Sequence, residues 1–225
     1  MPSAIWLLFY LRKDKHPESA KMVLKVFFFG VISAIPVVLI EMGIVDSINS
    51  MGFNSSFMVS VLKVFVGVAL IEEFVKYLVV RGQALKSLEF DEPIDAMLYM
   101  IIAALGFAAA ENILILFSLG PNFLLVNVFS LTIFRFAGAT FLHALCSGAL
   151  GYFLAMSFYE SKKRGRIFLK GLLIVTLLHG LYNFSIIELG TIWNFVIPLS
   201  IILGLAIFVT IAFKRLKNLK SISKI

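Results

Sequence analysis

Two adjacent glutamates and a lysine lie inside an apolar stretch that is long enough to cross a membrane. Glu72, Glu73 and Lys76 fall within residues 56–80, most of which are aliphatic or aromatic. On a helix, Lys76 follows Glu72 at i+4 and Glu73 at i+3, so the three groups share one flank. A charge at bilayer depth costs ~2.5 to 3.5 kcal/mol and therefore needs polar partners. Carboxylates in such a place can activate water for hydrolysis or carry protons, and a functional site is expected here.

The candidate partners are the other polar side chains that fall within apolar stretches. They are Glu111, Asn112, Arg135, His143, His179 and Asn183. Small residues, among them Ala108, Gly148 and Gly180, lie beside several of them. Such residues let membrane helices approach closely, so we predict that four helices gather these groups into one polar interior.

Hydrolysis of a peptide bond is the chemistry that this set of side chains favours. It needs a base to activate water and an acid to protonate the leaving amine, and carboxylates can serve in both roles. We expect Glu72 to be the base, and His143 or Asn112 to stabilise the oxyanion. Glu73 is an almost equal candidate for the base, because ~100° of helical phase separates it from Glu72.

Other kinds of site fit the same residues. His143 and His179 could bind a metal together with glutamates, although the chain has no His-Glu-x-x-His motif. Cys146, the only cysteine, lies one turn from His143 and could act with it as a nucleophile, but a lone cysteine among small residues is more often a buried apolar group.

Two classes of non-proteolytic protein remain open as well. Ionisable groups on several membrane helices also describe a proton-coupled transporter, but the chain shows neither two similar halves nor paired broken helices. A binding scaffold without catalysis is the second class.

The composition places the chain in a membrane. Of its 225 residues, 60% are hydrophobic and only 15% are charged, which leaves too little polar surface for a soluble domain. The net charge of +7 comes from short clusters of Lys and Arg between apolar runs, as the positive-inside rule describes. These clusters orient the protein in the membrane, and no nucleic-acid partner is expected.

The apolar runs predict an all-α, polytopic bundle of about seven membrane helices, with residues 1–225 forming a single integral-membrane domain. The predicted spans are residues 1–11, which are short, 22–42, 56–80, 94–117, 132–159, 167–189 and 193–213. An outer or re-entrant portion is expected before residue 132. Residues 43–55 contain no Lys or Arg and should form an outward loop, whereas the basic tail 214–225 should be cytoplasmic.

Four segments occur in the order seen in the PrsW family. They are 72–76 (EEFVK), 107–112 (FAAAEN), 135–152 (from Arg135 through His143 to Tyr152) and 179–183 (HGLYN). The chain therefore resembles the PrsW proteins, bacterial and archaeal intramembrane proteases that are related to the CAAX-prenyl protease and Abi group. The resemblance covers nearly the whole chain.

This resemblance implies a glutamic-type intramembrane endopeptidase of a prokaryotic cytoplasmic membrane, with a membrane-anchored substrate such as an anti-sigma factor and no cofactor. The catalytic residues that it implies are Glu72, Glu73, Glu111 and His143. The supporting residues are Lys76, Asn112, Arg135, His179 and Asn183. Neither the substrate's identity nor the oligomeric state is predicted.

Overall fold

The computed structural model describes residues 2–11, 18–53, 55–118, 135 and 138–219, and within them the chain is helical and contains no strand. The predicted all-α fold is therefore confirmed. The helices are α1 (Pro2–Leu11), α2 (Ala20–Ser50), α3 (Ser56–Val61), a π-helical stretch (Leu62–Leu70), α4 (Ile71–Gln83), α5 (Pro93–Ser118), α6 (Ala139–Tyr159), α7 (Arg164–Glu188) and α8 (Trp193–Lys217).

Five of the described helices are long and apolar enough to cross a membrane, namely α2, α5, α6, α7 and α8. A polytopic bundle is thus confirmed. The helical run from α3 through the π-helical stretch to α4 is divided into elements of 6, 9 and 13 residues, each too short to span the bilayer by itself, and α1 has only ten residues. At 1.5 Å per residue α1 is about 15 Å long, half the hydrocarbon thickness. The count of about seven spans stays a prediction.

Two predicted boundaries differ from the structure. Residues 43–50 were expected to be a loop but continue α2, because nothing breaks the helix before Gly52, whose φ is +65°. Helix α6 begins at Ala139, later than the predicted start at residue 132. The predicted re-entrant portion and the end of the basic tail lie outside the described residues.

Helix α5 forms the centre of the bundle. Every residue from position 93 to position 108 is buried, and α5 packs against α2 and α6 more extensively than any other described pair of helices. Glycines allow these contacts: a Cβ on Gly106 would collide with the carbonyl oxygen of Phe27, and one on Gly151 with the backbone of α5. Close backbone approach at small residues is how membrane helices pack in the absence of a hydrophobic driving force.

The start of α5 is fixed by a network of polar contacts. Asp95 Oδ2 accepts hydrogen bonds from the backbone N–H groups of Asp91 (2.9 Å) and Glu92 (2.7 Å). Glu89 accepts a hydrogen bond from Ser19 Oγ at 2.9 Å, and Ser19 also caps α2. These contacts hold the beginnings of α2 and α5 in place relative to each other.

Candidate active site

Lys76 is at the centre of a buried cluster of ionisable side chains. Lys76 lies on α4 and is fully buried. Its ammonium Nζ lies 3.0 Å from Glu72 Oε2 and 2.9 Å from Glu73 Oε1. The third partner comes from α6, where His143 Nδ1 is 2.8 Å away. Because an ammonium only donates, His143 Nδ1 accepts, and the ring proton is on Nε2.

The second ring nitrogen of His143 connects the cluster to α5. His143 Nε2 donates to Glu111 Oε2 at 2.8 Å, and Arg135 Nη2 lies 2.9 Å from Glu111 Oε1. Asn112 holds the guanidinium in place, because its Oδ1 accepts from Arg135 Nε at 2.6 Å while its Nδ2 donates to Thr140 at 2.9 Å. Glu111 is therefore fixed from both sides by charged or polar partners.

Helix α7 completes the cluster through His179. His179 Nδ1 donates to Glu73 Oε1 at 3.0 Å, while its Nε2 lies 3.9 Å from Glu72 Oε2. The other oxygen of Glu73 accepts from Ser147 Oγ at 2.9 Å. The rings of His179 and His143 meet edge to face, with centroids 5.0 Å apart.

The backbone explains why these helices come so close. The π-helical stretch ends at Leu70, directly before the segment that carries the glutamate pair, and π turns of this kind are frequent at functional sites. Gly180 packs against the ring of Phe65 in that stretch, where a Cβ would overlap the ring. Any larger residue at position 180 would push α7 and its His179 away from α4.

The three carboxylates differ in exposure. The side chain of Glu111 is 27% exposed, against 6% for Glu72 and none for Glu73. Glu111 faces a cavity of about 320 Å³. This cavity is lined by Glu111, Arg135, Ala139, Tyr182, Asn183, Ile186 and Ile187. Among the glutamates of the cluster, Glu111 is thus the one next to open space.

The structure brings together most of the residues that the sequence singled out. Direct contacts join Glu72, Glu73, Lys76, Glu111, Asn112, Arg135, His143 and His179. Asn183 instead lines the cavity. Asn112 has both ends of its amide engaged and His143 both ring nitrogens, so neither is free to bind an oxyanion. For the same reason, His143 has no nitrogen left to activate Cys146.

One ionisable residue near the cluster was missed from the sequence. Glu41 lies on α2, interacts electrostatically with Glu72, Glu111 and Lys76, and buries its Oε1 without a hydrogen-bond partner among the described residues. A glutamate inside an apolar run is a recognisable signal. Residue 41 lies at the end of the predicted span 22–42, where a charged side chain can reach the membrane surface, so the sequence does not distinguish it from an interfacial residue.

Membrane-crossing helices that surround a buried cluster of carboxylates, imidazoles and an ammonium define a polytopic membrane protein with an acidic site within the bilayer. The family model described as "PrsW family intramembrane metalloprotease" matches residues 18–213. The chain therefore belongs to the PrsW family and is a membrane protease, which confirms the resemblance seen in the sequence.

Several proteins named Protease PrsW are similar to this chain over most of their length. The one from Geobacillus kaustophilus is 32% identical over 82% of this chain and 75% of its own. Those from Oceanobacillus iheyensis and Bacillus subtilis are 28% and 29% identical, over 96% and 89% of this chain and 92% and 85% of theirs. No solved structure matches the chain.

The family's description raises the question of whether the cluster suits a metal ion. One donor atom each from Glu72, Glu73, His143 and His179 lies within 4.8 Å of the others, and all four residues are buried. Imidazole nitrogens and carboxylate oxygens are ligands that Zn²⁺ prefers, so the donor set fits. However, Lys76 Nζ lies within 3.0 Å of three of these residues. A divalent ion would have to displace this ammonium group, since the two cations repel each other.

Proposed function

We propose that the protein is an intramembrane endopeptidase of the cytoplasmic membrane that uses glutamates to activate water. Its substrate would be a membrane-anchored protein, such as an anti-sigma factor, cut in or near its membrane segment. The supporting observation is that Glu111, a partly exposed carboxylate, connects the cavity to the buried cluster through its hydrogen bond with His143.

In this proposal Glu111 is the general base, in place of Glu72, which the sequence favoured. A base must reach both a water molecule and the substrate, and the side chain of Glu111 borders open space while Glu72 and Glu73 are enclosed. Arg135 and His143 hold the Glu111 carboxylate in one orientation. This matches the usual arrangement in which a third group positions the base.

The reaction can be followed proton by proton. Glu111 takes one proton from water while the water oxygen attacks the peptide carbonyl carbon. When the C–N bond breaks, the protonated Glu111 gives that proton to the leaving nitrogen, and the carboxylate is restored. General catalysis of this kind typically contributes 10² to 10⁴ in rate.

The enclosed part of the cluster supplies fixed charge around the base. Lys76 and the His143 ring lie behind Glu111, with Glu72 and Glu73 balancing the ammonium. Groups that are locked in place stabilise charge without reorganising during the reaction. Glu72, Glu73 and Lys76 would thus act through His143 and Glu111.

Replacement of single carboxylates by amides tests these roles. In liposomes that contain a fluorescent single-span reporter, Glu111→Gln should lower kcat by about 10² to 10⁴. Glu72→Gln and Glu73→Gln should lower it less, by about 10 to 100, which is typical of groups that orient a catalytic residue. Glu160→Gln serves as the control, because Glu160 is exposed and pairs with Lys163 across 3.7 Å. Full activity of Glu111→Gln would refute the assignment of the base.

A metal-dependent protease is the second candidate, and the donor set described above favours it. Glu72, Glu73, His143 and His179 would hold the ion, which would supply Lewis-acid activation of water or of the carbonyl. Metal analysis of the purified protein, together with activity before and after chelation, separates the two proposals. Inactivation by a chelator with recovery on addition of Zn²⁺ would support the metal site, and unchanged activity after complete removal of metal would support the glutamates.

A further inference from the structure

The cavity beside Glu111 combines polar groups with an apolar rim. Tyr182 and Asn183 lie three and four residues after His179 on α7, so the three share one face of the helix. Ile186 and Ile187 continue that face at the end of α7 and are exposed. The cavity therefore extends from the base toward the outside of the helix bundle.

Two further polar side chains line the cavity, those of Tyr182 and Asn183. Neither the Tyr182 hydroxyl nor the Asn183 amide forms a hydrogen bond with another described residue. The Tyr182 ring is 3% exposed, and its phenol interacts electrostatically with Arg135 and Glu111, which places the hydroxyl at the polar end of the cavity. Buried tyrosine hydroxyls usually have a hydrogen-bond partner, so one that has none among the described residues and lines a cavity beside Glu111 points to a ligand.

The chemistry of this lining matches an unwound peptide. A protease can cut a membrane segment only if its backbone leaves the helix, and the freed N–H and C=O groups then need new partners, since lipid offers none. We propose that the cavity binds an extended segment of the substrate, with the Tyr182 hydroxyl donating a hydrogen bond to a backbone carbonyl. This inference rests on the proposed function, because it names the substrate site of that same protease.

The remaining lining residues have roles that follow from their chemistry. The Asn183 amide can donate to a second carbonyl and accept from an N–H group, which is the pattern of an extended strand. Ile186 and Ile187 at the rim offer an apolar path from the lipid to the base. The volume of about 320 Å³ is near the lower end of the ~300 to 1,000 Å³ typical of ligand sites, so a few residues of extended chain would fill it.

Photo-crosslinking tests binding independently of cleavage. A photoreactive benzoyl-phenylalanine replaces Ile187 in one variant and Leu177 in the control, both in the Glu111→Gln background. The two positions are on α7 and similarly exposed, at 67% and 58%, but only Ile187 lines the cavity. The probe is a labelled single-span polypeptide with Gly/Ser/Ala-rich flanks, reconstituted in phosphatidylethanolamine and phosphatidylglycerol liposomes. Crosslinks to the polypeptide from position 187 and not from 177 are expected.

Kinetics test the hydrogen bond in the active protein. Tyr182→Phe removes one hydroxyl and should lower kcat/KM by about 2- to 12-fold, the range for a single hydrogen bond. Tyr152→Phe is the matched control, and its kcat/KM should stay within about twofold of the parent, because Tyr152 is nine residues from His143 along α6, or about 14 Å. Ile187→Trp narrows the rim at an exposed position and should raise KM without unfolding the protein.

The outcomes separate this inference from the proposed function. Crosslinking from position 187, together with a parent protein that does not cleave the reporter, would retain the binding site and remove the protease mechanism. Cleavage that is unaffected by Tyr182→Phe and by Ile187→Trp would overturn the inference while leaving the mechanism intact. Equal crosslinking from positions 187 and 177, or crosslinks to phospholipid alone, would overturn it as well.

Discussion

The pairing of Lys76 with two carboxylates gives a quantitative prediction. Lys76→Met keeps the length of an unbranched side chain but removes the ammonium, which leaves Glu72 and Glu73 without their shared partner. All three side chains are nearly or fully enclosed, so water cannot replace the lost contacts. Breaking a buried ion pair by removing one partner costs about 3 to 5 kcal/mol. We expect the free energy of unfolding to fall by that amount.

The assay is reversible unfolding in mixed micelles, with the same titration for the double variant Lys76→Met, Glu73→Gln. The second change removes the charge of Glu73, one of the two carboxylates that lose their ammonium partner. The double variant should therefore lose less unfolding free energy than the two single variants lose in sum, by about 1 to 3 kcal/mol. Lys170→Met is the control, because Lys170 is exposed on α7. Surface changes of this kind are usually within about 0.5 kcal/mol of the parent.

A loss of less than about 1 kcal/mol for Lys76→Met would refute this reasoning, since no buried charge would then have been left unpaired. Strict additivity in the double variant would refute it too. It would mean that Lys76 and Glu73 do not interact, in contradiction to the 2.9 Å contact.

Three further substitutions test other features of the bundle. Glu41→Leu removes a buried oxygen that has no hydrogen-bond partner among the described residues, and should raise the free energy of unfolding by about 1 to 3 kcal/mol in the same titration. Gly106→Val forces a side chain against the Phe27 carbonyl, and should lower that free energy by about 1 to 3 kcal/mol or shift α2 from α5 in inter-helix distance measurements. Ser147→Ala removes the hydroxyl that Glu73 accepts from, and should cost about 1.5 to 3 kcal/mol.

Each of these has its own contradicting result. A less stable Glu41→Leu protein would mean that the carboxyl has a partner that stabilises the fold. Gly43→Val is the control for Gly106→Val, because nothing lies within 4 Å of a Cβ at Gly43. Equal changes in unfolding free energy at the two positions would contradict the packing argument. A neutral Ser147→Ala would show that Glu73 finds an equivalent donor.

The sequence predicted that most of the ionisable residues within the apolar stretches contact one another. Each of Glu72, Glu111, His143 and His179 is costly in lipid, so their mutual contact followed from the need for partners, whatever the exact geometry. The helical character of the chain followed as directly, because an open backbone is not tolerated within a bilayer.

The relative depth and phase of the helices could not be predicted. The helical phase does not decide which of Glu72 and Glu73 faces a cavity. In the structure both are enclosed, because partners on α6 and α7 pack against α4. The register of α5 against α4 decides that Glu111 rather than Glu72 borders the cavity. The position of α5 in the bundle depends on backbone contacts such as that of Gly106 with Phe27 of α2, and a single sequence does not show which residues pair in this way.

The burial of α5 also determines the direction of approach to its glutamate. Surrounding helices cover its side chains from residue 93 through residue 108, whereas those from 109 to 117 are partly or fully uncovered. Within the part of the chain that the structure describes, a polypeptide that enters from the bilayer is therefore blocked along the first two-thirds of this helix and can reach Glu111 near its far end. The packing that stabilises the protein thereby also keeps neighbouring membrane segments away from Glu111 along most of this helix.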